Sequence, residues 1–176
     1  TNVVQPVLDW FQDFQQEEPI SSESTVRTSI PLIPESSSET LDIAGIRAEI
    51  LSLTNELRAD YDAGPVVENP VLEQAADLRA EETAEQFSHT RPNGTEFHTI
   101  FEEPGLQYPY SLTGENLAMG THHLEDIKMA QFLFDGWVES QGHFENMIEP
   151  RYLEIGIGVY YDGEFLYLVQ IFGTPF

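Results

Sequence analysis

Apolar residues recur at spacings of three and four along three stretches of the chain, and this period predicts helices. The first predicted helix runs from Ile43 to about Tyr61, with Asp42 placed to cap its start. The second begins after Asn69-Pro70, an order typical of a helix start, and ends near Phe87. The apolar stripe of the first helix consists of Ile43, Ile46, Ile50, Leu53 and Leu57.

A third helix is predicted from about Leu124 to Glu139, after which Gly142 breaks the period. The pattern then changes to an alternation of period two on both sides of Asp162-Gly163, a tight-turn signal. The alternating residues are Ile155, Ile157 and Val159, then Phe165, Tyr167, Val169 and Ile171. Helices followed by a terminal antiparallel hairpin predict an α+β fold.

Residues 88–121 have no clear period and are rich in Gly, Pro, Asn and Tyr. We expect a functional loop region there, with short helical turns. Within it, Arg91-Pro92-Asn93-Gly94 predicts a turn that presents His89. Near the end of the chain, Gly156 and Gly158 leave one strand face bare, which predicts the close approach of a helix, with a cleft floor as the alternative.

The first 40 residues differ in composition from the rest. Residues 1–16 place apolar groups, including Trp10 and Phe11, at roughly helical spacing. They predict a short apolar leader that docks on the domain or on another copy of the chain, with a membrane or partner-binding role as the alternative. Residues 17–40 are acidic and rich in Ser, Thr and Pro, which predicts a linker. The folded domain should then occupy residues 41–176.

Charge restricts the classes of partner. The 31 acidic and 7 basic residues give a formal net charge of −24, which repels phosphate backbones, so we expect no nucleic-acid partner. The chain has no cysteine, and no apolar run reaches the roughly 18–20 residues that span a bilayer. The absence of disulfides favours a bacterial exterior or the cytosol. Because no signal peptide is visible, we expect it to be absent or already removed.

Ionisable groups are concentrated at four places where the helical or strand periodicity is absent. The first contains His89, the second contains Glu115, and the third contains Glu139 and His143. Two imidazoles and two carboxylates from separated loops are the materials of a divalent metal site or of acid–base catalysis. The fourth place is His122-His123, where adjacent side chains point in different directions and a surface capping role is expected.

Three further residues are weaker candidates. Ser88 and Ser140 lie near histidines, but neither sits in a nucleophile elbow or an oxyanion motif, so a serine hydrolase is disfavoured. His98 could line a cleft, and a packed loop histidine is the expected alternative.

Five motifs occur in one order along the chain: Ser-His-Thr, Gly-Glu-Asn-Leu-Ala, Trp followed by Ser-x-Gly-His-x-x-Asn-Met-Ile, Gly-Ile-Gly, and Val-Gln-Ile-Phe. Together they resemble the CAP superfamily, also called SCP, and particularly its bacterial, cysteine-free branch. The resemblance covers about three quarters of the chain. It implies a three-layer α-β-α sandwich with an open cleft lined by two histidines and two acidic residues.

The resemblance also assigns cleft positions. His89 and His143 match the two histidines, and Glu115 matches the glutamate of the Gly-Glu-Asn motif. Glu139 lies one residue from the expected place of the second acid, which Ser140 occupies, so Glu139 is either a cleft residue or a solvent-facing one. His89 and His143 would then bind Zn²⁺ or another divalent cation, with Glu115 as third ligand or as base. In the alternative, Glu115 holds an imidazole and the nearby loops without a metal.

The leading functional hypothesis is a secreted or surface-displayed bacterial module that binds a ligand in this cleft, without catalysis or with weak catalysis. The expected partner is a small ligand, a lipid, or a host or cell-surface protein. One alternative is a metal-dependent hydrolase of peptide, ester or phosphodiester bonds that uses the same residues. Another is an adhesion or assembly subunit that self-associates through the N-terminal leader.

Overall fold

A computed structural model describes residues 40–176 of the chain. The predictions for the leader at residues 1–16 and for the linker up to residue 39 lie outside the described residues. The helices are α1 (Ile43–Asp60), α2 (Pro70–Glu85), a 3₁₀ helix (Phe97–Glu102), α3 (Asp126–Glu139) and α4 (Gln141–Met147). The strands are β1 (Val67–Glu68), β2 (Tyr110–Thr121), β3 (Glu154–Tyr161) and β4 (Phe165–Pro175).

The four strands form one mixed sheet in the order β1-β3-β4-β2. The short β1 pairs parallel with β3, whereas β3 with β4 and β4 with β2 are antiparallel. The predicted C-terminal hairpin is therefore confirmed as β3 and β4, and Gly163 at its turn has a φ of +106°. Strand β2 is an edge strand, so residues from the helices on both faces of the sheet can meet beside it.

Helices cover both faces of this sheet. On one face, α2 lies so close to β3 that a Cβ on Gly156 or Gly158 would collide with the backbone at Leu72 or Ala76. On the other face, α1 contacts β4 through Thr54, whose hydroxyl accepts a hydrogen bond from Gln170, and α3 and α4 contact β2. The predicted three-layer α-β-α sandwich is confirmed, and so is the close helix approach at the two glycines.

Side-chain caps fix the starts of the two long helices at the predicted residues. The Asp42 carboxylate accepts from the Gly45 backbone N–H at 2.9 Å. The Asn69 side chain accepts from the backbone N–H groups of Val71 and Leu72 ahead of α2. The buried stripe of α1 differs in part from the prediction, because its fully buried residues follow a spacing of four: Ile46, Ile50, Thr54 and Arg58.

The prediction for residues 88–121 is wrong in part, although the expected short helical turn is present as the 3₁₀ helix. The predicted loop region 88–121 ends in a twelve-residue strand, β2, which pairs with β4 along its length. The strand lacks alternation because it carries Gly114, Glu115 and Asn116 where both its faces are covered. The third predicted helix ends at Glu139 as expected, and Gly142 lies inside a separate short helix, α4, that the sequence did not predict.

Within residues 40–176, every helix is too short or too polar to cross a membrane.

Candidate functional site

Glu115 lies in β2 with its carboxylate fully shielded from solvent. Arg79 of α2 donates its Nε–H to Oε2 at 2.7 Å, and its Nη2 lies 3.3 Å from Oε1. On its other side, Oε1 lies 2.8 Å from Nδ1 of His89. Both carboxylate oxygens are therefore engaged, one by a cation and the other by both the cation and an imidazole.

Arg79 is itself fully buried and is held from several directions. Besides Glu115, its guanidinium donates to the Glu82 carboxylate at 2.6 Å and to the backbone carbonyl of Ser88 at 2.7 Å. Burial opposes its charge, but the hydrogen bonds and charges of Glu115 and Glu82 raise the pKa of Arg79 above its ordinary value. Arg79 therefore remains a cation beneath the segment that carries His89.

A second buried arginine holds the chain just after His89. Arg91 forms ion pairs with Glu82 at 2.7 Å and with Glu103 at 3.0 Å. Its backbone N–H and carbonyl close the predicted turn on Thr95 and Gly94, and Gly94 has a φ of +84°. Because Glu82 binds both arginines, the backbone before His89 and the backbone after it are anchored to one carboxylate.

Strand β2 and helix α4 are cross-linked by two asparagines. Asn116 donates to the backbone carbonyl of His143 at 3.1 Å, and Asn146 donates to the backbone carbonyl of Glu115 at 3.2 Å. Asn116 also donates to Gln170 in the core, at 3.0 Å. Gly114 leaves the space that the Tyr152 hydroxyl occupies against this junction. These contacts fix His143 relative to Glu115 and give a physical reason for the Gly-Glu-Asn motif.

The two site histidines have different environments. The His89 side chain is 46% exposed, and its Nδ1 faces the buried Glu115. His143 is partly buried in the first half of α4. Burial, together with the nearby His89, lowers the pKa of His143 to about 4. His143 is therefore a neutral imidazole at neutral pH, and it lies within electrostatic reach of His89.

The structure thus brings together His89, Glu115 and His143 from three elements. Glu139 is the last residue of α3 and is exposed, and its side chain has no hydrogen-bond or ion-pair partner among residues 40–176. No described contact places it with the other three.

The remaining candidates lie elsewhere. A ring nitrogen of His122 lies 2.9 Å from the Asp126 carboxylate near the start of α3, and His123 contacts the backbone carbonyl of Thr121. Neither side chain caps α3, so the expected capping role is not observed. His98 is exposed in the 3₁₀ helix, so the expectation of a packed loop histidine is wrong.

The donor atoms at this site determine how it could bind the expected cation. In the described part of the chain, no three His, Asp or Glu side chains are grouped so as to hold a metal ion. The carboxylate of Glu115 is occupied by Arg79 and His89, which leaves the imidazoles of His89 and His143 as donors. Imidazole nitrogen is a ligand type that Zn²⁺ accepts. An ion held by these two imidazoles would need its remaining ligands from solvent or from a bound molecule.

Arg79 was not singled out from the sequence, although a signal was present. It stands in register with the buried positions of α2, three residues after Ala76 and four before Thr83. An arginine on the apolar face of a helix requires a buried partner, because an unpaired buried charge is costly. That partner is Glu115.

A three-layer sandwich with a His/Glu cluster beside its edge strand defines the CAP class of domains. The chain belongs to this family: the model of the cysteine-rich secretory protein family matches residues 51–172. This member has no cysteine.

Individual relatives are distant. The chain is 24% identical over 118 residues to the uncharacterized protein YkwD of Bacillus subtilis (strain 168), covering 66% of this chain and 43% of that protein. The chain therefore spans less than half the length of this curated relative.

Two solved structures share the fold. An extracellular protein with an SCP domain from Bacillus anthracis str. Ames has a TM-score of 0.61 at 23% identity, covering 82% of this chain and 45% of that one. An outer surface protein of Borrelia burgdorferi has a TM-score of 0.64 at 20% identity, covering 77% of this chain and 96% of that one.

Proposed function

We propose that this chain is an extracellular ligand-binding domain whose cleft contacts its ligand through His89 and His143. The observation that carries the proposal is the pairing of a half-exposed imidazole, oriented by a buried carboxylate, with a second imidazole that burial keeps neutral. Neutral imidazoles supply a lone pair and an N–H to a ligand without adding charge. The extracellular setting is supported by the Bacillus and Borrelia relatives, which are extracellular or outer surface proteins.

The proposal includes a divalent cation shared between the protein and its ligand. His89 and His143 would supply two nitrogen ligands, and Glu115 would orient His89 from behind rather than coordinate. A carboxylate behind a metal-binding histidine fixes the ring and raises its basicity. Zn²⁺ suits this donor set better than Mg²⁺ or Ca²⁺, which prefer oxygen ligands. When bound, the ion would supply a Lewis-acid contact to an anionic or carbonyl group of the ligand.

The hydrolase alternative has less support from the geometry. A general base needs a carboxylate or imidazole within reach of water and free to take a proton. Glu115 is shielded from solvent, and Arg79 stabilises its ionised form. Its position therefore favours an orienting role over proton transfer, and binding without turnover is the preferred function.

Calorimetric titration with Zn²⁺ at pH 7.5 tests the cation. We expect one-to-one binding to the wild-type chain and its loss in the double variant His89→Ala/His143→Ala. The matched control is His98→Ala/His123→Ala, which removes two exposed histidines that have no described contact with His89, Glu115 or His143 and should bind as wild type does. Equal binding by both variants, or none by the wild type, would contradict the cation proposal.

The ligand is tested separately. A thermal-shift screen of small molecules and lipids should yield binders whose stabilising effect depends on His89 and His143. Ligands that stabilise the wild type and the cleft double variant equally would show that the cleft is not the binding site.

A further inference from the structure

We propose that Arg79 is a positioning residue that keeps the proton of neutral His89 on Nδ1 and so presents the Nε2 lone pair to the cleft. The proposed function enters this inference at one point, the identity of the group that Nε2 contacts. The position of the proton is a property of the domain without ligand or metal.

The first step is the charge of Glu115. A carboxylate shielded from solvent stays ionised when a cation balances it, and the Arg79 Nε–H lies 2.7 Å from Oε2. An ionised carboxylate only accepts hydrogen bonds. At 2.8 Å from Oε1, the Nδ1 of His89 must therefore be the donor. The hydrogen bond at one ring nitrogen decides which nitrogen carries the proton of a neutral imidazole.

The second step is the rigidity of Arg79. Its guanidinium also donates to Glu82 at 2.6 Å and to the Ser88 carbonyl at 2.7 Å. The planar fork cannot turn to another orientation without losing these bonds. Arg79 thus fixes both the carboxylate that faces His89 and the backbone of the residue before it.

These contacts make a specific prediction for the isosteric variant Glu115→Gln. Arg79 can only donate, and its shorter contact with Glu115 is Nε to Oε2 at 2.7 Å, against 3.3 Å from Nη2 to Oε1. The amide oxygen should therefore face Nε of Arg79 and the amide NH₂ should face Nδ1 of His89, so Nδ1 accepts and the proton moves to Nε2. In the double variant Arg79→Met/Glu115→Gln, no donor fixes the amide, so its oxygen can turn to His89 and the share of rings with the proton on Nδ1 rises again.

The experiment is ¹⁵N NMR of the histidine rings in the full metal-free chain at about pH 8.5, where a free imidazole is neutral. Nδ1 of His89 should resonate as a protonated nitrogen in the wild type, as an unprotonated one in Glu115→Gln, and closer to the protonated position again in the double variant. Arg58→Met is the control, because Arg58 is equally buried but does not contact Glu115, Glu82 or Ser88. Its His89 signals should match those of the wild type.

Three results would overturn the proposal: a proton on Nε2 in the wild type, an unchanged tautomer in Glu115→Gln, or no reversal in the double variant. If the double variant does not fold, the single variant decides the matter, since Glu115→Gln keeps the side-chain volume and Arg79 keeps its ion pair with Glu82. If wild-type Zn²⁺ binding exists, Glu115→Gln should also weaken it by roughly 10- to 100-fold. Absent Zn²⁺ binding with the expected tautomers would contradict the proposed cation but not the role of Arg79.

Discussion

The side-chain amide of Asn116 in β2 donates to the backbone carbonyl of His143 in α4 at 3.1 Å. The same amide also reaches Gln170 in the neighbouring strand, and Gln170 in turn donates to Thr54 of α1. A chain of hydrogen bonds therefore leads from Thr54 in the core to the backbone of His143. The position of His143 depends on this chain.

Asn116→Asp should destabilise the domain by roughly 2–4 kcal/mol, because a carboxylate cannot donate to His143 or Gln170 and its charge would be buried. Asn93→Asp is the matched control. Asn93 is exposed and its Oδ1 accepts from Thr95, a role that aspartate retains, so its effect should stay within about 0.5 kcal/mol. Urea unfolding at pH 7.5 measures both. Equal effects would show that the Asn116 network is not a determinant of stability.

Gly158→Ala should severely destabilise or unfold the domain, because the added Cβ would meet the backbone of Ala76 in α2. Gly136→Ala in α3 is the control, since no atom lies within 4 Å of its Cβ position. That change should leave the domain as stable or add about 0.5–1 kcal/mol through helix propensity. Thermal unfolding followed by circular dichroism compares the two, and a stable Gly158→Ala domain would contradict the contact of α2 with β3.

Arg58→Met should cost roughly 3 kcal/mol or more, because four backbone carbonyls lose a charged donor. Those carbonyls, at 2.7–3.1 Å, belong to Gly64, Met147, Glu149 and Tyr152. Arg151→Met removes an exposed arginine that pairs with Glu149, and we expect no measurable loss. Chemical denaturation of the two variants tests the difference, and a similar loss in both would refute the role of Arg58 in joining α1 to the end of α4.

The low pKa of His143 predicts a pH-dependent loss of stability. An unfolded histidine takes up a proton near pH 6.5, whereas burial and the nearby His89 lower the folded pKa to about 4. Between these values the unfolded state binds more protons, so stability falls as the pH falls, and the loss is complete below pH 4. The stabilising contribution is fully present above about pH 6.5.

The variant His143→Gln isolates this contribution from that of the many carboxylates. The difference in unfolding free energy between wild type and variant should change by on the order of 2–3 kcal/mol from pH 7 to pH 4. Free-energy curves that stay parallel over this range would contradict a neutral, buried His143.

The sequence was sufficient for the helices and the hairpin because their apolar residues pack against the two faces of the sheet. Asp42 and Asn69 marked the helix starts through caps that depend on a few neighbouring residues. The edge strand β2 was missed because the polar residues of the site interrupt the alternation of apolar and polar positions that predicts a strand. Glu115 and Asn116 are buried, but each is satisfied by partners far away in sequence.

The candidate site, too, was predictable only in part. His89, Glu115 and His143 stand in recognisable motifs, and the structure brings them together. Arg79 belongs to no such motif, and its role follows only from the packing of α2 over β3 and β4, which brings its side chain to Glu115. The direction of the Glu139 side chain is set by its position along α3. Glu139 lies one residue before the place expected for the second acid, and its side chain is in solvent.

The most direct test of the account is zinc-edge X-ray absorption spectroscopy of the loaded wild-type chain. We predict two imidazole nitrogens at about 2.0–2.1 Å, with the remaining ligands from solvent, and loss of both nitrogens in His89→Ala/His143→Ala. A carboxylate of Glu115 in the coordination shell, or a spectrum unchanged in that variant, would contradict a two-histidine site oriented by Glu115.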